Sequence, residues 1–179
     1  MKRETILPKL SSTSLPWPTN WTEVFGVERP IILDIGFGYG HTLVHLHQTQ
    51  PDHNIIGVEI DNTCLVKAEK AIPRKNMDNV RVVRTRAETA LHHLFTPASL
   101  QEVHVNFPDP WFKARHSRRR LMQRDTLDTI VSRLAPGGMF YLATDIIAYA
   151  EMSTELLAET PGLTAQHEPP WLNSWPGRI

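Results

Sequence analysis

A chain of 179 residues is long enough for one domain with a buried core, and 41% hydrophobic against 21% charged residues is typical of a globular protein. The 19 basic and 19 acidic side chains cancel, which argues against a protein held to nucleic acid by its overall charge. The single cysteine, Cys64, excludes an intramolecular disulfide and a cysteine-built metal site, and no apolar run approaches the roughly 20 residues of a transmembrane helix.

Residues 1–29 are predicted to form an irregular arm that packs on the domain. Pro8, Pro16 and Pro18 interrupt this stretch, and a short helix is expected only around Thr19–Phe25. The opening MKRETILPKL is not followed by an apolar core of signal-peptide length. A cytoplasmic protein is therefore expected.

From residue 30 to residue 179 short apolar runs alternate with amphipathic stretches, which predicts an α/β domain. The apolar runs predict strands at Ile31–Ile35, Ile55–Ile60, Val80–Val83, Val103–Phe107 and Met139–Ala143. Helices are predicted at His41–Gln50, Asn62–Ile72, Ala87–Leu94, Ser117–Leu134 and Ile146–Glu159, with Asn62 and Asp145 as N-caps and Pro136-Gly137-Gly138 ending the fourth. This order predicts a Rossmann-like, doubly wound, mostly parallel sheet.

The first predicted strand leads into Asp34-Ile35-Gly36-Phe37-Gly38-Tyr39-Gly40, and a helix follows at once. Glycines allow a sharp turn and a close approach of the backbone to a ligand. A dinucleotide fingerprint would place its third glycine at position 41, which is His41, so a nicotinamide cofactor is disfavoured. Glu59 ends the second strand about twenty residues further on, where a carboxylate accepts hydrogen bonds from both ribose hydroxyls. Together the loop and Glu59 predict an adenosyl ligand.

The fourth predicted strand ends in Asn106-Phe107-Pro108-Asp109-Pro110-Trp111, a stiff loop at the strand's carboxyl end. Ligands bind at that edge of an open α/β sheet. A carboxylate held there accepts hydrogen bonds from a base edge, and Trp111 suits stacking on a base. A basic run follows, which alone would indicate a solvated helix face but at this position favours contacts with phosphates. Its members are Lys113, Arg115, His116, Arg118, Arg119, Arg120 and Arg124.

The run NFPDPWFKARHSRRR resembles the signature of the bacterial tRNA (guanine-N7)-methyltransferases, a family of class I S-adenosylmethionine-dependent enzymes. The resemblance extends from about Ile31 to Leu157 and includes the Asp34 loop, Glu59 and Ala143-Thr144-Asp145. It implies methyl transfer from S-adenosylmethionine to N7 of a guanine in the variable loop of tRNA. It leaves both a monomer and a homodimer open.

Carried over by position, the resemblance implies roles for individual residues. Asp109 would be the catalytic or base-orienting carboxylate. The cofactor would contact Asp34, Gly36, Gly38, Gly40, Glu59, Arg86 and Asn106. The substrate would contact Lys113, Arg115, His116, Arg118, Arg119 and Asp145.

The sequence departs from that family at two places. Arg86 stands where the family usually has an aspartate that faces the adenine, and an arginine has no acceptor for the adenine amino group, so Glu88 or a backbone group would have to substitute. The family's closing Thr-x-Phe-Glu segment is missing after Ser174-Trp175-Pro176-Gly177-Arg178-Ile179. Leu163–His167 is a candidate sixth strand, and nothing remains for the last antiparallel strand, which predicts an unpaired sheet edge and reduced stability.

Two other functions stay open: a methyltransferase for another RNA or a small molecule, and an inactive relative that binds RNA or a partner protein. A metal site is not expected. His41 and His45 lie one helical turn apart, but Thr42 occupies the position where a zincin has glutamate. These histidines, together with His92, His93 and His104, are predicted to lie on solvated faces.

Overall fold

The structure, a computed structural model, describes residues 9–11, 14–111, 115 and 120–167. The strands are β1 (Lys9–Ser11), β2 (Ile31–Ile35), β3 (Asn54–Glu59), β4 (Val80–Arg84), β5 (Leu100–Asn106) and β6 (Leu134–Ala143). The helices are α1 (Trp21–Phe25), α2 (His41–Thr49), α3 (Asn62–Arg74), α4 (Ala87–Thr89, continued by a π-helical turn over Ala90–Leu94), α5 (Arg124–Arg133) and α6 (Ile147–Ala158). The five predicted strands are confirmed, with bounds that differ by a few residues.

The strands form one sheet in the order β1-β4-β3-β2-β5-β6, and every pair that is described is parallel. The carboxyl ends of β2 to β6 therefore lie along the same edge. The strand order reverses between β2 and β5, and a ligand crevice opens at such a switch point. The prediction of a doubly wound, parallel α/β sheet is confirmed.

Successive residues of the strands face opposite sides of the sheet, as the pleat requires. Ile32, Ile55 and Val82 pack with Leu43 of α2 and Leu65 of α3 on one side. The next residues along the same strands, among them Leu33 and Ile56, join a second cluster with side chains of α1, α5 and α6 on the other side. Helices thus cover both faces, and this explains why most residues of the central strands β2 and β3 are apolar.

Both predicted N-caps are wrong by one residue. Asp61, not Asn62, caps α3, and its side chain accepts a hydrogen bond from the Cys64 backbone N–H at 2.9 Å. Ile146, not Asp145, precedes α6, and there the Thr144 hydroxyl accepts from the Ile146 N–H at 3.2 Å. Neighbouring polar residues compete for a cap position, and the backbone direction at the strand end decides between them.

The fourth predicted helix differs from the observed one at both ends. Helix α5 begins at Arg124 rather than at residue 117, and residues 117–119 lie outside the described residues. The helix ends directly in extended backbone at Leu134, and Pro136-Gly137-Gly138 lies within β6 instead of terminating the helix. There the pairing with β5 shifts from Leu100 opposite Leu134 to Glu102 opposite Met139. These turn residues form an irregularity in a strand.

The ends of the described chain correct two further predictions. The arm is not irregular throughout, because β1 pairs with β4 at the sheet edge and Asn20 caps α1. Leu163–His167 forms no strand: residues 163–165 have no regular structure, and residues 166 and 167 form a bend. Residues 168–179 lie outside the described residues, and they include Ser174–Ile179, which resembles the lead-in to the family's closing segment. No helix in the described part of the chain has the length and apolarity needed to cross a membrane.

Candidate functional site

The glycine loop between β2 and α2 depends on three left-handed backbone positions. Gly36, Gly38 and Gly40 have φ of 71°, 53° and 81°. Side chains other than that of glycine are strained at such angles, so the loop requires glycine at each position. The Gly36 N–H donates to the Val58 carbonyl of β3 at 2.8 Å, which folds the loop back across the sheet edge.

Glu59 holds the loop at the end of β3. Its Oε2 accepts a hydrogen bond from the Gly38 N–H at 3.1 Å. Its Oε1 accepts from the Ile60 and Asp61 N–H groups at 2.6 and 2.9 Å. A carboxylate has about four acceptor sites, so these three bonds leave one for a ribose hydroxyl, and a second hydroxyl would have to replace an existing donor.

Asp34 is buried on β2 beneath the loop, with none of its side chain accessible to solvent. Neither carboxylate oxygen has a hydrogen-bond partner among the described residues. Burial raises the pKa of Asp34 from 3.8 to about 7; the amide of Asn106 partly offsets this effect, and the charge of Glu59 adds to it. A buried, unpartnered carboxyl beneath a strained glycine loop is a group built to meet a ligand.

Asn106 ends β5, on the other side of the switch point from Asp34. Its side-chain amide donates to the Thr42 hydroxyl of α2 at 3.3 Å. This bond links β5 to the helix that follows the glycine loop. Asn106 was expected to contact the cofactor, whereas Thr42 was not singled out, because a threonine early in a helix carries no distinctive sequence signal.

The Asp109 loop follows directly and is conformationally strained. Phe107 and Trp111 have positive φ, 51° and 42°, which non-glycine residues rarely adopt and which cost about 1–3 kcal/mol each. The Phe107 N–H donates to the Ala143 carbonyl of β6 at 2.8 Å. Asp109 is exposed, and Trp111 is partly exposed. Strain of this kind is concentrated at functional sites in proteins.

Two arginines of the basic run donate hydrogen bonds to backbone carbonyls of the protein, although both side chains are partly exposed. Arg120 donates to the Pro110 carbonyl at 2.9 Å and to the Trp111 carbonyl at 3.2 Å. Arg124 donates to the Glu159 carbonyl at 2.9 Å, at the end of α6. The sequence did not distinguish these two arginines from their basic neighbours, because a run of charges does not show which side chains bond to the protein's own backbone.

The remaining predicted substrate contacts are only partly described. Asp145 is exposed at the carboxyl end of β6, on the same edge as Asp109. Arg115 is exposed as well. Lys113, His116, Arg118 and Arg119 lie outside the described residues.

Arg86 is exposed and immediately precedes α4. Glu88, its suggested substitute, lines a cavity of about 70 Å³ together with Asp125 and Thr126 of α5. That cavity lies on the α5 side of the sheet, whereas the glycine loop leads into α2, which packs on the opposite side. The contact with the adenine amino group therefore remains a prediction, and no side-chain acceptor is assigned to it.

His104 contradicts the prediction of a solvated histidine. It is 4% exposed, and its Nε2 lies 2.8 Å from Glu102 Oε2 on the same face of β5. The Gln50 amide donates to both Glu102 oxygens at 3.1 Å. The interactions with His104 and Gln50 outweigh burial and lower the pKa of Glu102. His104 also lies directly opposite Asp34 in the sheet, so a polar layer runs beneath α2.

The described residues contain no group of three or more histidine, cysteine or acidic side chains placed to hold a metal ion. Cys64 is partly exposed rather than part of the core. The structure thus shows a doubly wound α/β domain with a glycine loop after β2 and a second loop, that of Asp109, after the neighbouring strand β5.

Comparison with known proteins identifies the family to which this domain belongs. Residues 28–177 match the protein-family model described as "Putative methyltransferase". The chain therefore belongs to this methyltransferase family.

Individual relatives agree with the family assignment. The chain is 38% identical over 156 residues to the tRNA (guanine-N(7)-)-methyltransferase of Cupriavidus pinatubonensis, covering 87% of this chain and 61% of that protein. It is 40% identical over 148 residues to the enzyme of the same name from Cupriavidus metallidurans, covering 83% and 56%. The chain thus spans about three fifths of the length of these curated relatives.

Solved structures support the fold. The aminoglycoside resistance methyltransferase NpmB1 superposes with a TM-score of 0.55 at 23% identity, covering 86% of this chain and 77% of that one. An rRNA methylase from Streptococcus thermophilus gives a TM-score of 0.51 at 16% identity, covering 72% and 69%.

Proposed function

We propose that this chain transfers a methyl group from S-adenosylmethionine to N7 of a guanine in the variable loop of tRNA. The observation that carries the proposal is the meeting of two loops at one sheet edge. The glycine loop leaves β2, and the Asp109 loop leaves β5, the neighbouring strand across the switch point. The relatives named tRNA (guanine-N(7)-)-methyltransferase support the choice of substrate. Action on tRNA implies that the protein works in the cytoplasm. Residues 30–179 would form the catalytic domain, and residues 1–29 would form an arm that packs on it.

The residues around the glycine loop fit S-adenosylmethionine. The buried carboxyl of Asp34 lacks a partner, and a cation nearby would compensate its burial. Gly36, Gly38 and Gly40 let the backbone approach the ligand. Glu59 accepts hydrogen bonds from the ribose hydroxyls, with one acceptor site already available. When bound, the cofactor supplies an electrophilic methyl group on a positively charged sulfur.

Asp109 orients the guanine rather than removing a proton. N7 of guanine carries a free lone pair at neutral pH, so no general base is needed to expose it. A carboxylate accepts hydrogen bonds from the N–H groups on the far edge of the same base. The protein's contribution is therefore alignment of N7 with the methyl group and stabilisation of the positive charge that shifts to the base. Lys113, Arg115, His116, Arg118, Arg119 and Asp145 position the tRNA around this loop.

The test is transfer of a labelled methyl group from S-adenosylmethionine to unmodified tRNA. Asp109→Asn keeps the side-chain volume but replaces one acceptor with a donor, so we expect kcat to fall about 100-fold or more while the cofactor Kd stays within about twofold. Asp128→Asn is the matched control, because Asp128 is exposed on α5 away from the loop. It should retain full activity.

Label at guanine N7 that disappears in Asp109→Asn alone supports the proposal. Label on another RNA or on a small molecule would show that the substrate is not tRNA. Cofactor binding without transfer to any RNA would make the chain an inactive relative of the enzymes that it resembles.

A further inference from the structure

We infer that Arg120 is a positioning residue that fixes the Asp109 loop against α6, and that it does not contact tRNA phosphates. The inference rests on the proposed function, because it assigns a role in the orientation of the guanine by Asp109. The inference distinguishes Arg120 from the other residues of the basic run, because the Arg120 side chain is bonded to the Asp109 loop itself.

The guanidinium of Arg120 binds two consecutive carbonyls just after Asp109. Its Nε donates to the Pro110 carbonyl at 2.9 Å, and its Nη2 donates to the Trp111 carbonyl at 3.2 Å. The planar arrangement of donors in arginine permits both bonds at once, and a lysine ammonium lacks this fixed geometry. Two such bonds fix the orientation of the loop as well as its distance.

The third nitrogen reaches α6. Nη1 lies 3.2 Å from the Met152 sulfur, a weak acceptor, on the helix that begins beside Asp145. Arg120 therefore connects the loop that carries Asp109 to the element that follows Asp145. Both carboxylates belong to the site as proposed, so this connection sets their separation.

The loop itself offers few backbone N–H donors. Pro108 and Pro110 flank Asp109 and have no N–H to donate. Phe107 and Trp111 bound the segment in the left-handed region, a conformation that persists only where surrounding contacts impose it. The Phe107 N–H to Ala143 bond anchors the start of the loop, and Arg120 anchors its end.

Arg124 provides a matched control within the same basic run. It also bonds to the α6 region, through the Glu159 carbonyl at 2.9 Å and the Thr160 hydroxyl at 3.3 Å. Its contacts lie at the far end of α6 from Asp145, and the bonds described for it go to Glu159 and Thr160 rather than to the Asp109 loop. Loss of either arginine removes one positive charge and a contact with the α6 region. Of the two, Arg120 is the one that is hydrogen-bonded to the Asp109 loop.

The experiment compares Arg120→Ala, Arg120→Lys and Arg124→Ala in methyl transfer to tRNA. We expect Arg120→Ala to lower kcat about 30- to 100-fold while KM for S-adenosylmethionine stays within about twofold, since a displacement of about 1 Å costs about this much. Arg120→Lys should recover little, and millimolar guanidinium should partly restore Arg120→Ala. Arg124→Ala should keep kcat within about twofold.

Full kcat in Arg120→Ala, or an equal loss in Arg124→Ala, overturns the inference. If the wild-type chain methylates no tRNA, the proposed function fails, and hydrogen–deuterium exchange then decides the inference separately. Peptides that cover Phe107–Trp111 should exchange faster in Arg120→Ala than in Arg124→Ala. Equal exchange in the two variants would show that Arg120 does not hold the loop.

Discussion

Asp34 carries a stability cost, and in the proposed function it also faces the bound cofactor. Its pKa is raised from 3.8 to about 7 chiefly by burial. Between these pH values the unfolded chain is ionised at this position and the folded chain is protonated, so folding stability falls as the pH rises. Above about pH 7 Asp34 is ionised in both the folded and the unfolded chain. The loss in the free energy of unfolding then stays constant, at about 4 kcal/mol as an upper bound.

Asp34→Asn should therefore stabilise the ligand-free protein, because it removes an ionisable group from a buried site. We expect a gain of up to about 4 kcal/mol in the free energy of unfolding at pH 8 and less than half of that gain at pH 5. Urea unfolding at the two pH values measures both quantities. The same gain at pH 5 and pH 8 would show that ionisation of Asp34 is not the cause.

The same substitution should weaken cofactor binding. Between pH 6 and pH 7.5 the affinity of the wild-type protein for S-adenosylmethionine should increase, because the carboxylate that faces the cationic ligand becomes populated. Calorimetric titration across this range measures the slope, which is limited to about tenfold per pH unit for one proton. A slope that persists in Asp34→Asn would assign the pH dependence to another group.

For individual residues, the sequence predicted the glycine turn after β2 and a carboxylate at the end of β3, because turns and strand ends depend on local chain geometry. The contacts of these residues with a cofactor stay predictions. The sequence failed for His104, since burial of that side chain depends on α2 covering β5. It also failed for Arg120, whose carbonyl partners belong to a loop that curves back in space. Interactions between segments distant along the chain leave no periodic pattern in the sequence.

Strand β3 packs tightly against the glycine loop at Gly57. A Cβ on Gly57 would lie 2.6 Å from Phe37 Cδ1 and 3.1 Å from both methyl groups of Leu43. Phe37 stands between Gly36 and Gly38, so a residue larger than glycine in β3 would push directly on the loop. Gly57 is thus required for packing, although its own backbone conformation is ordinary.

Gly57→Ala should destabilise the fold by about 1–3 kcal/mol, the usual cost of overpacking. It should also weaken S-adenosylmethionine binding, since Phe37 must move. Adding Phe37→Leu to Gly57→Ala should recover part of both losses, which denaturant unfolding and calorimetry can measure. The packing argument would fail if Gly57→Ala bound the cofactor normally at full stability.

Element types were more predictable than element ends. The apolar runs identified β2 to β6, because a strand buried on both faces must be apolar along its whole length. Pro136-Gly137-Gly138 was misread as a helix stop. A Cβ on Gly138 would come within 2.9 Å of the Ala135 carbonyl and 3.1 Å of the Gln101 and Leu100 carbonyls, so this glycine permits close approach of β5 to β6. The sequence signal for a turn was real, but the turn residues lie inside a strand.

Because the formal net charge of the whole molecule is zero, its electrostatic attraction for a polyanion depends on where the positive charges lie. A polyanion such as tRNA is then bound through a local basic patch rather than through the overall field. Arg120 and Arg124 are hydrogen-bonded to backbone carbonyls of the protein, so we expect other residues of the run to supply that patch. The salt dependence of tRNA binding should consequently be modest.

Arg119→Ala should reduce the slope of log affinity against log salt by about 1, as expected for one lost phosphate contact. Arg29→Ala is the control, because Arg29 donates to the Pro51 carbonyl at 3.0 Å near the amino-terminal edge of the sheet. Filter binding across a series of salt concentrations gives both slopes. Equal slopes for Arg119→Ala and the wild-type protein would place Arg119 outside the tRNA contact.

The bonds of Glu59 have a consequence for the pace of turnover. Before a nucleoside arrives, this carboxylate is already satisfied by the Gly38, Ile60 and Asp61 amides. In the proposed function, the first ribose hydroxyl would take the remaining acceptor site of Glu59, and the second would displace one of these amides. The displaced amide would stay close and rebind when the nucleoside leaves, so this contact would favour fast release over tight binding.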